Sequence, residues 1–174
     1  GYALAVNDDL YGTAGVWATN TILRVTEANT FTGNVTLASG TLQFTTVTDI
    51  SGGASSLGNG TAITFTGSSI LNFVGSSAQA TNRTLTSTAG VITLAANGVT
   101  AADTITYNGA ITVGPVTDGS QIVLTGAAGR EGIISGGILQ TGDLADMTVN
   151  GGTWTHQMGT SRIGDTLTVT GADT

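Results

Sequence analysis

The feature that most limits the fold of this chain is a period of two in its apolar residues. Large apolar residues alternate with Thr, Ser, Gln or other small residues, as at Val35 and Leu37, Leu42 and Phe44, Ile63 and Phe65, and Leu167 and Val169. Successive side chains of a β-strand point to opposite faces, and β-branched Thr and Val suit a pleated surface. The pattern therefore predicts many short strands, each with one buried face.

Composition argues against helices and against disorder. Only 9% of the 174 residues are charged while 40% are hydrophobic, so the chain is too apolar to stay disordered. The long charged side chains of amphipathic helices are scarce, and the 27 Gly residues interrupt the sequence every few positions. We expect an all-β fold that forms one continuous segment over residues 1–174.

The charge distribution excludes several classes of partner. The net charge is −7, there is no Lys, and the four Arg residues are scattered at positions 24, 83, 130 and 162. Nucleic acids and anionic membrane surfaces are bound by clustered cations. Because no apolar run approaches the length of a membrane span, we also expect no membrane insertion. The N-terminus lacks the features of a secretory signal, so any export signal is expected outside this sequence.

Two architectures fit many short strands, namely an antiparallel β-sandwich and a parallel β-solenoid. Short self-similar stretches favour the solenoid, in which each coil contacts only its neighbours. "SGGILQT" (135–141) and "NGGTWTH" (150–156) follow one plan and are offset by 15 residues, a plausible coil length. On that offset Leu139 and Trp154 would stack in one internal column, with Gln140 and Thr155 facing outward.

A longer echo joins the two ends of the sequence. At an offset of 144 residues five positions in ten match, and they pair Leu23, Val25, Thr26, Ala28 and Thr30 with Leu167, Val169, Thr170, Ala172 and Thr174. The echo predicts a composite repeat of about 144 residues, of which this chain is one copy with overlap. We therefore expect the sequence to be an excerpt of a longer repetitive chain.

Gly and Asn-Gly steps separate the alternating segments. Examples are Asn59-Gly60, Asn97-Gly98, Asn108-Gly109 and Asn150-Gly151. Such steps accept a positive φ at low cost, so they predict tight turns between strands.

The repeat-like stretches resemble a known family. "ANTFTGNVTLASGTLQF" (28–44) is similar to the passenger-associated transport repeat, also called the autotransporter-associated β-strand repeat, whose typical form is close to ANTYTGGTTVSGGTLQ. "SLGNGTAITFTGSSILNF" (56–73) continues in the same manner, and "ATNRTLTSTAGVITLAANGVT" (80–100) resembles the segment that links such repeats. The resemblance covers residues 21–100 and is looser beyond them.

The resemblance implies a right-handed parallel β-solenoid, or β-helix, in a large exported protein of the bacterial cell surface. It supplies no catalytic residue. The expected function is a structural segment of an extracellular fibre, stalk or surface filament, with neighbouring repeats or identical end-to-end subunits as partners. The alternatives are an adhesin or autotransporter passenger that binds a host surface or glycans, and a secreted β-helix enzyme that degrades polysaccharide.

Candidate metal ligands are few. The carboxylate pairs are Asp8 with Asp9, and Asp143 with Asp146. Calcium takes six to eight oxygen ligands, so either pair could only begin a site, and we expect solvated turns there and no cofactor. Glycoside hydrolysis needs two carboxylates facing each other across a groove, and Asp143 and Asp146 lie too close in sequence to do so. We therefore expect no enzymatic activity.

The single histidine, His156, has no second histidine or carboxylate cluster near it in sequence. A general base or a metal site needs such partners. The sequence predicts an outward-facing side chain on a coil.

Overall fold

The computed structural model describes residues 4–6, 21–114, 121–140, 146–157 and 167–170. The described backbone forms strands and no helix. The strands are β1 (Leu4–Val6), β2 (Ile22–Val25), β3 (Val35–Leu37), β4 (Gly40–Phe44), β5 (Ala62–Phe65), β6 (Ser69–Phe73), β7 (Gln79–Thr81), β8 (Thr84–Ser87), β9 (Ile92–Ala96), β10 (Ile105–Tyr107), β11 (Ile111–Val113), β12 (Gln121–Gly126), β13 (Glu131–Ile134), β14 (Ile138–Gln140), β15 (Asp146–Asn150), β16 (Thr153–His156) and β17 (Leu167–Thr170).

The strands stack into three parallel sheets. Sheet 1 has the order β1-β3-β5-β8-β11-β14, sheet 2 runs from β2 through β4, β6, β9, β12 and β15 to β17, and sheet 3 contains β7, β10, β13 and β16. The chain visits sheets 1, 2 and 3 in turn, and it completes four three-sided coils from β5 to β16. The fold is a parallel β-solenoid, as predicted, and the antiparallel β-sandwich is wrong. Its right-handed winding stays a prediction.

The coil length differs from the 15 residues suggested by the sequence. In sheet 1, Ile63 pairs with Leu85, Leu85 with Ile111 and Ile111 with Ile138, so these coils span 22, 26 and 27 residues (63 to 85, 85 to 111, 111 to 138). The stretches at 135–141 and 150–156 are therefore different sides of one coil, with β14 in sheet 1 and β16 in sheet 3.

The predicted internal column of Leu139 and Trp154 is consequently wrong. Leu139 points out of sheet 1 and is 43% exposed, while its neighbour Ile138 is buried. Trp154 lies opposite Gly132 in sheet 3, where the absent side chain leaves room for the indole ring. Similar sequence plans on different sides of one coil produced the error.

The interior is built from the alternating apolar residues. Val35, Leu37, Leu42 and Phe44 are fully buried, which confirms the predicted inward face. In sheet 2 the register stacks Leu42, Leu71, Leu94 and Leu124 in one column. Burial of each such side chain stabilises the fold by about 1.5–3 kcal/mol relative to exposure. The core is therefore continuous along the axis of the solenoid.

Glycines at the Asn-Gly steps serve two purposes. Gly151 has a φ of 85°, as a tight turn at Asn150-Gly151 predicts. Gly109 does not have a positive φ; a Cβ there would collide with the backbone carbonyl of Arg83 in the neighbouring coil. At Asn108-Gly109 the glycine is thus required by close packing of coil on coil and not by turn geometry.

Candidate functional site

The predicted calcium ligands fall largely outside the described residues. Asp8, Asp9 and Asp143 lie there, and only Asp146 is described, half-buried at the start of β15 in register with Gln121. Within the described ranges no three His, Cys, Asp or Glu residues gather closely enough to hold a metal ion. The expectation of solvated turns without a metal at the two carboxylate pairs therefore stays a prediction.

His156 ends β16 on sheet 3 and is exposed, as predicted. The parallel register nevertheless places it on the same side of the sheet as Ile134 of the preceding coil, which is buried. The predicted outward direction is therefore wrong, and His156 is exposed because β16 is the outermost described strand of sheet 3. Beside it, Trp154 is half-buried and donates from Nε1 to the carbonyl of Thr125 at 3.1 Å. The indole therefore links sheet 3 of one coil to sheet 2 of the preceding coil.

The outer side of sheet 1 carries an aligned column of threonines. The register places Thr36 next to Thr64, Thr64 next to Thr86, and Thr86 next to Thr112, and all four side chains are half-buried. Leu139 follows Thr112 in the same column. We call the outer side of β3, β5, β8, β11 and β14 the threonine face.

The outer side of sheet 2 has a shallow groove of about 330 Å³. It crosses β4, β6 and β9 and is lined by Gly40, Thr41, Ser68, Ser69, Ile70, Val91 and Thr93. The lining offers hydroxyl groups and aliphatic surface without a charge or an aromatic ring. Such chemistry suits a neutral ligand, although it lacks the stacking platform typical of sugar sites.

A buried polar cluster surrounds Arg83, which lies between β7 and β8 and has no exposed surface. Its guanidinium donates from Nη1 to the carbonyl of Leu57 at 2.8 Å and from Nη2 to that of Gly58 at 2.5 Å. Burial lowers the pKa of Arg83, and the nearby Asp49 carboxylate partly offsets this shift. Arg83 therefore ties two coils together from inside the solenoid.

The residues around Arg83 attach an irregular segment, residues 45–58, over the first strand of sheet 3. We call this stretch the cover segment. The backbone N–H of Asn82 donates to Asp49 Oδ1 and that of Ile50 donates to Asn82 Oδ1, both at 2.7 Å. Val47 N–H donates to Gln79 Oε1 at 3.0 Å. Hydrogen bonds through side chains thus hold the cover segment beside β7, on the edge where no described strand pairs with it.

Three buried polar atoms around this region have no hydrogen-bond partner, namely Asn59 Oδ1, Arg83 Nε and the Tyr107 hydroxyl. Tyr107 has no exposed surface, and burial raises the pKa of its phenol well above the ordinary value. A buried unpaired polar atom costs about 1–3 kcal/mol. None of these three atoms is open to solvent, so we assign the cluster a structural role.

The stacked sheets end in strands that pair on one side. Among the described residues, β2 pairs only with β4 and β17 pairs only with β15. Unpaired N–H and C=O groups on an outermost strand can accept a further strand. Both ends of sheet 2 therefore offer positions at which the stack can continue.

These features define a parallel β-solenoid whose polar interior contacts are structural. Comparison of the chain with models of protein families, with curated proteins and with solved structures finds no match. Along the described backbone, no helix has the length and apolarity needed to cross a membrane.

The sequence did not single out Arg83, the cover segment or the threonine face. For Arg83, the available sequence signal was a single arginine between two alternating segments. The threonine column could not be found without the register, because its members are 22 to 28 residues apart (36 to 64, 64 to 86, 86 to 112).

Proposed function

We propose that this chain is a structural segment of an extracellular bacterial fibre, stalk or surface filament, built from β-solenoid repeats and without catalysis. The observation that carries the proposal is the place of the two echoing stretches. They form β2 and β17, the outermost strands of the same seven-stranded sheet. Strand β17 therefore occupies the position that β2 of a following 144-residue unit would take.

The register is compatible with this continuation. Leu23 and Val25 of β2 lie against Leu42 and Phe44 of β4. By the echo, Leu167 of β17 would lie against the equivalent of Leu42 in the next unit. Apolar residues would then meet apolar residues across the junction, as they do between all other coils. The neighbouring repeats of the same chain, or identical subunits, are the partners.

An extracellular or cell-surface location is part of the same proposal. It is supported by the similarity of residues 28–44 to repeats of exported surface proteins and by the repetitive solenoid that such proteins require. Solenoids gain length by adding coils of about 4.8 Å each, so a chain of this composition is suited to extension.

The test is the assembly state of the chain, measured by light scattering and electron microscopy. We expect rods that lengthen with concentration. Leu23→Lys places a charge on the inner side of the edge strand, so it should keep the fold but prevent end-to-end growth. Ile22→Lys is the matched control, since Ile22 points outward from the same strand and is 59% exposed. A monodisperse monomer for the unchanged chain would contradict the proposal.

A second candidate is an adhesin that binds a neutral glycan, which the uncharged groove on sheet 2 favours. The test is binding to a glycan array. Ile70→Lys should abolish binding in this case, because Ile70 lies in the middle of the groove. Absence of binding to all glycans would exclude this candidate and leave the fibre proposal unaffected.

A further inference from the structure

We propose that the threonine face of sheet 1 is a lateral contact surface, and that its occupant is the same face of a second copy of this chain. The inference rests on the proposed fibre function and deepens it. End-to-end growth would make single rods, and the threonine face would join those rods side by side.

The geometry of the face suits a contact between sheets. Thr36, Thr64, Thr86 and Thr112 stand in register at the strand spacing of about 4.8 Å. Their hydroxyls make no hydrogen bond to any described residue, whereas the flanking Thr66 donates to the carbonyl of Leu37. The four side chains therefore present unused hydroxyls together with methyl groups, at a regular interval, to whatever lies outside.

The charge distribution favours a second copy of the chain as the partner of the threonine face. Every described Asp, Glu and Arg residue lies on sheet 2, on sheet 3 or in the segments between strands, and none belongs to the five strands of the threonine face. Two copies of a chain with a net charge of −7 repel each other. The threonine face is therefore a side on which two copies can meet without burying or opposing any charge of the described residues.

The size of the face predicts how strong the contact is. Five strands cover about 19 Å along the axis, and the three or four residues of each strand cover about 10–13 Å across it. The face therefore measures on the order of 200 Å², whereas stable interfaces bury about 800 Å² per partner. One unit gives a weak contact, and about four units in line reach the required area. Lateral association should consequently strengthen with rod length.

Packing of the two faces requires no change of fold. Face-to-face sheets lie about 10 Å apart, which leaves room for one layer of interleaved threonine side chains. Pairs of threonines contribute through methyl contacts and hydroxyl hydrogen bonds. The exposed Leu139 at the end of the column adds apolar area to the contact.

The experiment compares rod width and rod length in the unchanged chain and in two variants. Thr86→Lys changes the middle of the threonine face. Thr93→Lys is the matched control, because Thr93 is also a half-buried, outward threonine and lies in the next strand of the same coil, on sheet 2. Small-angle X-ray scattering and electron microscopy over a concentration series give both dimensions, and circular dichroism checks the fold of each variant.

The unchanged chain and Thr93→Lys should pass from single to double width as concentration rises. Thr86→Lys should require at least about tenfold more protein for that change, since it buries an unpaired charge in the contact. Rod length should be equal in all three. If Thr86→Lys lowers the melting temperature, Thr112→Lys one coil along replaces it.

Three results would overturn the inference. Long rods of single width at every concentration would refute the lateral contact and leave the fibre proposal intact. Equal effects of Thr86→Lys and Thr93→Lys would show that the association does not use this face. Binding of single rods to an insoluble polysaccharide, lost in Thr86→Lys, would show that the face is occupied by a glycan and not by a second copy.

Discussion

Replacement of Arg83 by Met is the most informative single change to the interior. Methionine fills much of the same space but cannot donate to the carbonyls of Leu57 and Gly58, which Arg83 binds at 2.8 and 2.5 Å. The carbonyl of Leu57 would lose this partner inside the solenoid, whereas the carbonyl of Gly58 would keep the hydrogen bond that Ser55 Oγ donates at 2.8 Å. The cover segment would lose one attachment at its C-terminal end and would keep the hydrogen bonds between Asn29 and Ser55.

Opposing effects determine how much Arg83→Met changes the free energy of unfolding. Each hydrogen bond from a charged donor contributes about 1.5–3 kcal/mol, and each unsatisfied buried carbonyl costs about 1–3 kcal/mol. Removal of the cation also relieves its desolvation, which amounts to several kcal/mol for a buried ion. We expect a net loss of about 2–4 kcal/mol in the free energy of unfolding, or a fall of about 5–15 °C in the melting temperature.

The assay is thermal unfolding followed by circular dichroism, together with hydrogen exchange of the Val47 and Ile50 amides in the cover segment. Both amides should exchange faster in Arg83→Met. Arg130→Met is the control, because Arg130 makes one exposed hydrogen bond to the Val99 carbonyl at 2.8 Å and should cost less than about 1 kcal/mol. A melting temperature for Arg83→Met within 1–2 °C of the unchanged protein, about 0.5 kcal/mol, would refute the role of Arg83.

Two further changes test the polar interior and the coil contacts. Tyr107→Phe should raise the free energy of unfolding by about 1 kcal/mol, because it removes a buried hydroxyl without a partner; a loss of stability would instead indicate an internal partner. Since burial raises the pKa of Tyr107, stability should fall as pH rises above about 10, where only the unfolded state loses the proton, and Tyr107→Phe should reduce this fall in chemical denaturation. Gly109→Ala should cost about 1–3 kcal/mol through its collision with the Arg83 carbonyl; a change below about 0.5 kcal/mol would contradict the close approach of the coils.

Alternation along each strand was sufficient to predict an all-β fold and the inward face, whereas the choice of a solenoid over a sandwich rested on the repeat-like stretches. Val35, Leu37, Leu42 and Phe44 are buried because a period of two leaves no other face for a core in a parallel stack. The coil length was not predictable from local similarity, because the strands on all three sides of a coil have similar sequences of Gly, Thr and one large apolar residue. The register decides it, and the register depends on contacts between distant residues.

Among the site residues, too, some features were predictable from the sequence and others were not. His156 was correctly expected to be exposed, and it lies on β16, the outermost described strand of sheet 3. Arg83 was missed because its partners are backbone carbonyls 25 and 26 residues earlier in the chain, which no motif marks. The role of the cover segment could not be predicted from the sequence either. Its backbone amides donate to the side chains of Asn82 and Gln79, and no sequence pattern marks such contacts.

The most direct test of end-to-end stacking is X-ray diffraction from aligned assemblies of the chain. If the solenoids join end to end, the strand spacing of about 4.8 Å lies along the long axis of the particle and gives a meridional reflection. A 4.8 Å reflection on the equator, or assemblies without any such reflection, would contradict the proposed rod.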